Sequence, residues 1–132
     1  MEQAANIGGR RVLVIEDDRS VARVLSFPLR EAGFEVAHTA SGGEALYILE
    51  QGRMAAVVLD LGLPDGQGGK VLQWLHQYGQ PREGGPAWVV ISALDRQEAA
   101  RQYGPIGSNF LAKPFDPWQL VRTLDAPLTG KS

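Results

Sequence analysis

The sequence predicts an α/β fold: a doubly wound, five-stranded parallel sheet in which β and α elements alternate as (βα)5. Three observations point there. Short continuous runs rich in β-branched residues, Val12-Leu13-Val14-Ile15 and Val57-Val58-Leu59 among them, lack the alternation of a half-exposed strand and read as strands buried on both faces. Between such runs lie stretches with apolar residues at helical spacing. The runs also finish in polar groups: Glu16-Asp17-Asp18 after the first, Asp60 after Leu59, Ser92 after Trp88-Val89-Val90-Ile91, and Lys113 after Asn109-Phe110-Leu111-Ala112. Strands alternating with helices imply right-handed crossovers and a sheet covered on both faces. Acid, acid, hydroxyl and ammonium then share one edge, where ligands bind in open α/β folds.

Val12 to Ile15 is the first strand. Val21, Leu25, Leu29 and Ala32 recur at helical spacing, with Ser20 near the start and Gly33 as the stop. Pro28 removes a backbone donor inside this first helix, which predicts a kink or an altered last turn. Phe34 to His38 alternates and suits a second strand. Ser41-Gly42-Gly43-Glu44 resembles a capping box before Ala45, Leu46, Ile48 and Leu49 of a second helix that ends near Gly52. Ala55 to Leu59 is the third strand, and a turn from Gly62 to Gly69 leads to Val71, Leu72 and Leu75 of the third helix. After a loop from Gln80 to Pro86 come a fourth strand (Ala87 to Ile91), a short helix (Asp95 to Tyr103), a fifth strand (Phe110 to Ala112) and a last helix (Pro117 to Leu124). Residues 1–10 read as a flexible lead, 11–125 as one domain and 126–132 as a tail.

A chain of 132 residues suits one domain. The absence of cysteine excludes disulfides, thiolate ligands and cysteine nucleophiles, leaving oxygen donors for any metal. With a net charge of −2 and no basic cluster beyond Arg10-Arg11, the expectation is no direct nucleic-acid binding and no attraction to anionic membranes. No apolar stretch approaches the roughly 20 residues of a spanning helix. Met1 to Asn6 lacks a signal peptide's basic start, so a cytoplasmic location is expected.

Glu16, Asp17 and Asp60 gathered at one edge disfavour joint ionisation unless a cation intervenes, and a hard divalent ion such as Mg²⁺ suits an all-oxygen set. A carboxylate can also act as nucleophile toward a phosphoryl group, a transfer that depends on positioning and charge neutralisation. Asp60 is the candidate acceptor. Lys113 and the Ser92 hydroxyl, with a neighbouring backbone N–H, are candidates for the phosphoryl oxygens that a metal on Asp17 leaves free.

This set, in this order, resembles the receiver domain of two-component response regulators. The likeness spans about Arg11 to Leu124 and is carried by Ile15-Glu16-Asp17-Asp18, Leu59-Asp60-Leu61-Gly62-Leu63-Pro64-Asp65-Gly66, Val90-Ile91-Ser92-Ala93 and Lys113-Pro114-Phe115. It implies a flavodoxin-like, CheY-like sheet and a switch that assists its own Mg²⁺-dependent phosphotransfer and dephosphorylation. The phosphoryl group would come from a histidine kinase or phosphotransfer protein, and the signal would leave by phosphorylation-dependent binding of an output protein. By the same resemblance Asp60 is the phosphoacceptor. Asp17, Glu16 through water, Asp60 and the Gly62 backbone carbonyl hold Mg²⁺ (or Mn²⁺). Ser92 is the switch hydroxyl, the Ala93 backbone and Lys113 bind phosphate, Phe110 is the aromatic switch residue, and the bond before Pro114 is a candidate cis peptide.

Two features depart from the family's pattern: Tyr103-Gly104-Pro105-Ile106-Gly107-Ser108-Asn109, where receivers commonly have Gly-Ala before the fifth strand, and Pro28 in the first helix. The alternatives are a receiver-like interaction module that acts without phosphorylation and a small Mg²⁺-dependent phosphohydrolase. His38 and His76 show no partner pattern for metal or catalysis, and Trp74, Trp88 and Trp118 read as packing groups.

Overall fold

A strand with no polar face has to be covered on both sides, and a parallel sheet with helices above and below meets that demand. The computed structural model describes residues 10–128. In it β1 (Arg11–Ile15), β2 (Glu35–Thr39), β3 (Ala56–Asp60), β4 (Ala87–Ser92) and β5 (Phe110–Ala112) pair in parallel in the order β2-β1-β3-β4-β5. Alternate residues of each strand enter opposite cores. Val12, Val14, Val58, Val89 and Ile91 pack against α1 (Arg19–Glu31) and α5 (Pro117–Leu128) through Leu25, Leu29, Leu120 and Leu124. On the other face Leu13, Ile15, Val57, Leu59 and Val90 meet α2 (Gly42–Glu50), α3 (Gly68–Tyr78) and α4 (Arg96–Tyr103) through Leu49, Val71, Leu75 and Ala99. Each fully buried side chain of the larger aliphatic kind contributes about 1.5–3 kcal/mol. The strand order reverses between β1 and β3, and the crevice at their carboxyl ends is where Glu16 and Asp60 emerge.

The element boundaries show local causes. Asp18 caps α1, its Oδ1 accepting from the amides of Ser20 at 2.9 Å and Val21 at 3.3 Å. Pro28 leaves α1 continuous, and the helix closes in an ordinary glycine turn: Ala32 N–H donates to Pro28 O, Gly33 N–H to Arg30 O, Phe34 N–H to Leu29 O, and Gly33 takes φ +98°. The capping box at α2 is half formed. Ser41 Oγ accepts from Glu44 N–H at 3.1 Å, but the Glu44 carboxylate turns to the Thr39 hydroxyl instead of the Ser41 amide. A single 3₁₀ turn, Pro81–Glu83, lies in the loop before β4.

The last helix runs to Leu128 instead of stopping at Leu124, so it takes in the first residues of the expected tail. Arg10 already belongs to the folded unit, with its guanidinium 4.4 Å from the Phe34 ring centroid and paired with Asp125. The remainder of the expected lead, residues 1–9, and residues 129–132 of the expected tail lie outside the described residues. Among the described residues no helix is long and apolar enough to cross a membrane.

Candidate functional site

Four strand ends build the site. Glu16 follows β1 and is buried, with its Oε2 accepting from Asp18 N–H at 3.1 Å and its backbone carbonyl accepting from His38 Nε2 at 2.6 Å. Asp17 beside it is exposed. Asp60 closes β3 and is buried, its Oδ1 accepting from Gly62 N–H at 3.0 Å. Ser92 closes β4, and its carbonyl accepts from Lys113 N–H at 2.7 Å, which draws the residue after β5 to the same edge. The Lys113 ammonium then reaches across, donating to Glu16 Oε1 at 2.9 Å and to Asp60 Oδ2 at 3.2 Å. The Lys113–Pro114 bond is cis.

Charge on this edge is unbalanced. Glu16, Asp17 and Asp60 offer oxygens that all lie within 4.8 Å of one another. Three carboxylates against one ammonium leave two formal negative charges, the complement of a divalent ion. Burial pushes the Glu16 carboxyl above its ordinary value; Lys113 opposes the shift and the neighbouring Asp60 adds to it. For Lys113 burial acts downward, but the Glu16 and Asp60 carboxylates outweigh it and hold the ammonium above its ordinary value. An all-oxygen donor set with uncompensated charge and one exposed member fits a hard cation such as Mg²⁺ and excludes a soft one. A groove of about 620 Å³ lies at the other end of the strands, between the last turns of α2 and α3, lined by Leu49, Trp74, Tyr78 and Pro86 and remote from these groups.

Comparison with known proteins agrees with this geometry. Residues 12–125 match the model of the response regulator receiver domain. This chain belongs to that family. Receivers are phosphoacceptor switches of two-component systems. Among curated relatives, the DNA-binding response regulator MtrA of Mycolicibacterium paratuberculosis is 31% identical over 90% of this chain and 51% of its own length. The transcriptional regulatory protein PrrA of Mycobacterium bovis is 35% identical over 89% and 49%. The receiver thus spans about half the length of the curated relatives it matches. A CheY-like receiver domain from Methanospirillum hungatei shares the fold, with a TM-score of 0.74 at 22% identity over 92% of this chain and 94% of that one.

These relatives correct one expectation. The low charge of the chain argued against nucleic acid as a partner, yet MtrA is a DNA-binding response regulator in which a receiver like this one makes up about half. Net charge bears only on the surface of the residues counted, so it cannot exclude nucleic acid as a partner of a protein in which this receiver is one part.

Within the receiver, Glu16, Asp17, Asp60 and Lys113 come together. Gly62 joins them through its amide, and a Cβ there would stand 3.7 Å from Asp60 Oδ1. Ser92 is adjacent but occupied, its hydroxyl accepting from Leu94 N–H at 3.0 Å, and Ala93 is exposed in the turn that follows. Phe110 stands apart at the start of β5, half-buried, with the Arg96 guanidinium 5.6 Å from its ring centroid. His38 and His76 each bond a backbone carbonyl, one that of Glu16 and the other Pro105 O, both at 2.6 Å.

Asp65 belongs to the Leu59–Gly66 motif, but the sequence assigned it no role of its own. In Pro64-Asp65-Gly66 it reads as a local turn acid, but its carboxylate also reaches the first residues of α2. The Pro-Asp-Gly turn was the only signal, and it carries no information about a partner more than twenty residues away.

Proposed function

We propose that this receiver accepts a phosphoryl group on Asp60 from a histidine kinase or phosphotransfer protein, and that the phosphorylated form signals by binding an output protein. The observation that supports the reading is the Lys113 ammonium bonded to both Glu16 and Asp60 at the strand edge. A carboxylate oxygen of Asp60 attacks phosphorus as the bond from phosphorus to the donor nitrogen breaks, and the electron pair leaves with the donor. Gly62 N–H fixes the carboxylate while Lys113 meets one phosphoryl oxygen. The Ser92 hydroxyl, released from Leu94 N–H, and the Ala93 backbone N–H meet another. Glu16, Asp17, Asp60 and the Gly62 carbonyl would hold Mg²⁺ (or Mn²⁺), which supplies positive charge to the transferring group.

By family resemblance, the Ser92 movement frees space that Phe110 fills, altering the surface of α4, β5 and α5. In a longer protein of the MtrA kind the output would be DNA binding. Gly62 and Leu94 carry no side-chain group able to orient a water, so self-dephosphorylation is expected to be slow; a phosphoryl half-life of seconds would contradict this.

Incubation with acetyl phosphate and Mg²⁺, followed by intact mass, tests the reading. One phosphoryl adduct is expected on the wild-type chain and none on Asp60→Asn. No adduct at saturating donor, with no Mg²⁺ binding by titration, would overturn it in favour of a module that acts without phosphorylation.

A further inference from the structure

Asp65 joins two loops of the carboxyl edge. Its Oδ1 accepts from Gln67 N–H at 3.0 Å within its own turn. Its Oδ2 accepts from Gly42 N–H at 2.9 Å, Gly43 N–H at 3.4 Å and the Ser41 hydroxyl at 3.3 Å, so one carboxylate caps the first turn of α2 from another segment. The two segments are in close contact. A Cβ on Gly42 would lie 2.5 Å from Gln67 Cβ, and one on Gly68 would lie 2.5 Å from Leu61 O. Gly62 sits exposed between buried Leu61 and Leu63 in this same loop, with its amide on Asp60. Burial acts to raise the Asp65 carboxyl but is outweighed by the bonds from Gln67, Gly43, Gly42 and Ser41, which hold it below its ordinary value.

We infer that Asp65 is a positioning residue for the acid edge: by tying the β3–α3 loop to the start of α2, it sets the orientation of the Gly62 peptide, whose amide holds Asp60 and whose carbonyl would serve as a metal ligand. The inference deepens the phosphoacceptor reading and rests on it for the metal. Outer partners that orient metal ligands typically carry about 10–100-fold in affinity.

The test uses Asp65→Ala, Asp65→Asn and, as a control for lost stability alone, Leu124→Val, which shaves the other core. Two quantities are read: Mg²⁺ affinity by calorimetric titration, and hydrogen exchange of the Gly62 amide in metal-free protein. Asp65→Ala is expected to weaken Mg²⁺ binding about tenfold and to speed Gly62 exchange. Asp65→Asn, which keeps acceptor oxygen but no charge, recovers part of both. Leu124→Val changes neither.

Unchanged Mg²⁺ affinity and unchanged Gly62 exchange in Asp65→Ala would overturn the inference, as would equal effects from Leu124→Val. A wild-type chain that binds no Mg²⁺ would count against the phosphoacceptor reading instead, and Gly62 exchange would still decide the positioning role.

Discussion

The acid edge and the segment from Tyr103 to Asn109 are both held by contacts between distant residues, but they are built in opposite ways. At the edge, the long-range contacts that gather charge join side chain to side chain: Lys113 meets Glu16 and Asp60 across 97 and 53 residues of chain. In the Tyr103–Asn109 segment, side chains grip bare backbone. Arg96 donates to Gly107 O at 3.1 Å and Ser108 O at 2.9 Å, and His76 bonds Pro105 O. Asn109 Nδ2 donates to Trp88 O at 3.3 Å, while Gly107, at φ +81°, lies so close under the indole that a Cβ would stand 2.7 Å from Trp88 Cη2. Ile106 is buried among them. The first arrangement concentrates charge for chemistry. The second spends its polar contacts on fixing the backbone that leads into β5 and Phe110.

If the two regions are separate in this way, variants should divide between chemistry and stability. The largest effect is expected from Lys113→Ala, which removes the cation beside the proposed acceptor. Labelling by acetyl phosphate should slow about 10²-fold, within the range for deleting one charge-stabilising donor. A rate equal to wild type would mean the ammonium has no part in the transfer.

Next comes Gly107→Ala. It puts a Cβ into the Trp88 ring at a left-handed backbone position, and a loss of about 2 kcal/mol in urea unfolding is expected, with labelling unchanged. Arg96→Ala removes two hydrogen bonds to carbonyls and the contact with Phe110, at an expected cost of about 1 kcal/mol by the same measurement. Altered labelling in either variant would show that the Tyr103–Asn109 segment and the acid edge act as one unit.

The smallest effect is a pH dependence at Asp65. Burial raises this carboxyl but its hydrogen bonds lower it further, so its folded-state value lies below the unfolded one. The stability it contributes is present above the unfolded value and is lost as pH falls through the folded value. The gap in melting temperature between wild type and Asp65→Asn should therefore hold constant above about pH 5 and narrow as the pH falls below about 4. A gap that stays constant would contradict the linkage.

The same contrast explains what could be read from the sequence. Buried strands announce themselves as apolar runs and helices by their spacing, so the sheet and its four crossovers were legible, with errors confined to ends such as Leu128. Glu16, Asp17, Asp60 and Lys113 were legible as a group because topology alone brings parallel strand ends together, and their residue types complement one another. Contacts to backbone leave no such trace. Any residue can offer a carbonyl, so nothing in Gly107 or Ser108 points to Arg96, and nothing in Pro105 points to His76. Asp65 was hidden for a related reason: a turn acid satisfies its local bond to Gln67 and reaches α2 as well. The link to DNA-binding relatives was beyond reach of a charge count.

The central claim is that Asp60, held between Gly62 N–H and Lys113, is the residue that takes the phosphoryl group. Borohydride reduction of the acetyl phosphate-treated chain converts an aspartyl phosphate to homoserine, which tandem mass spectrometry can locate. The account expects homoserine at position 60 alone. Homoserine at position 17 or elsewhere in its place, or intact aspartate at every position after full labelling, would contradict it.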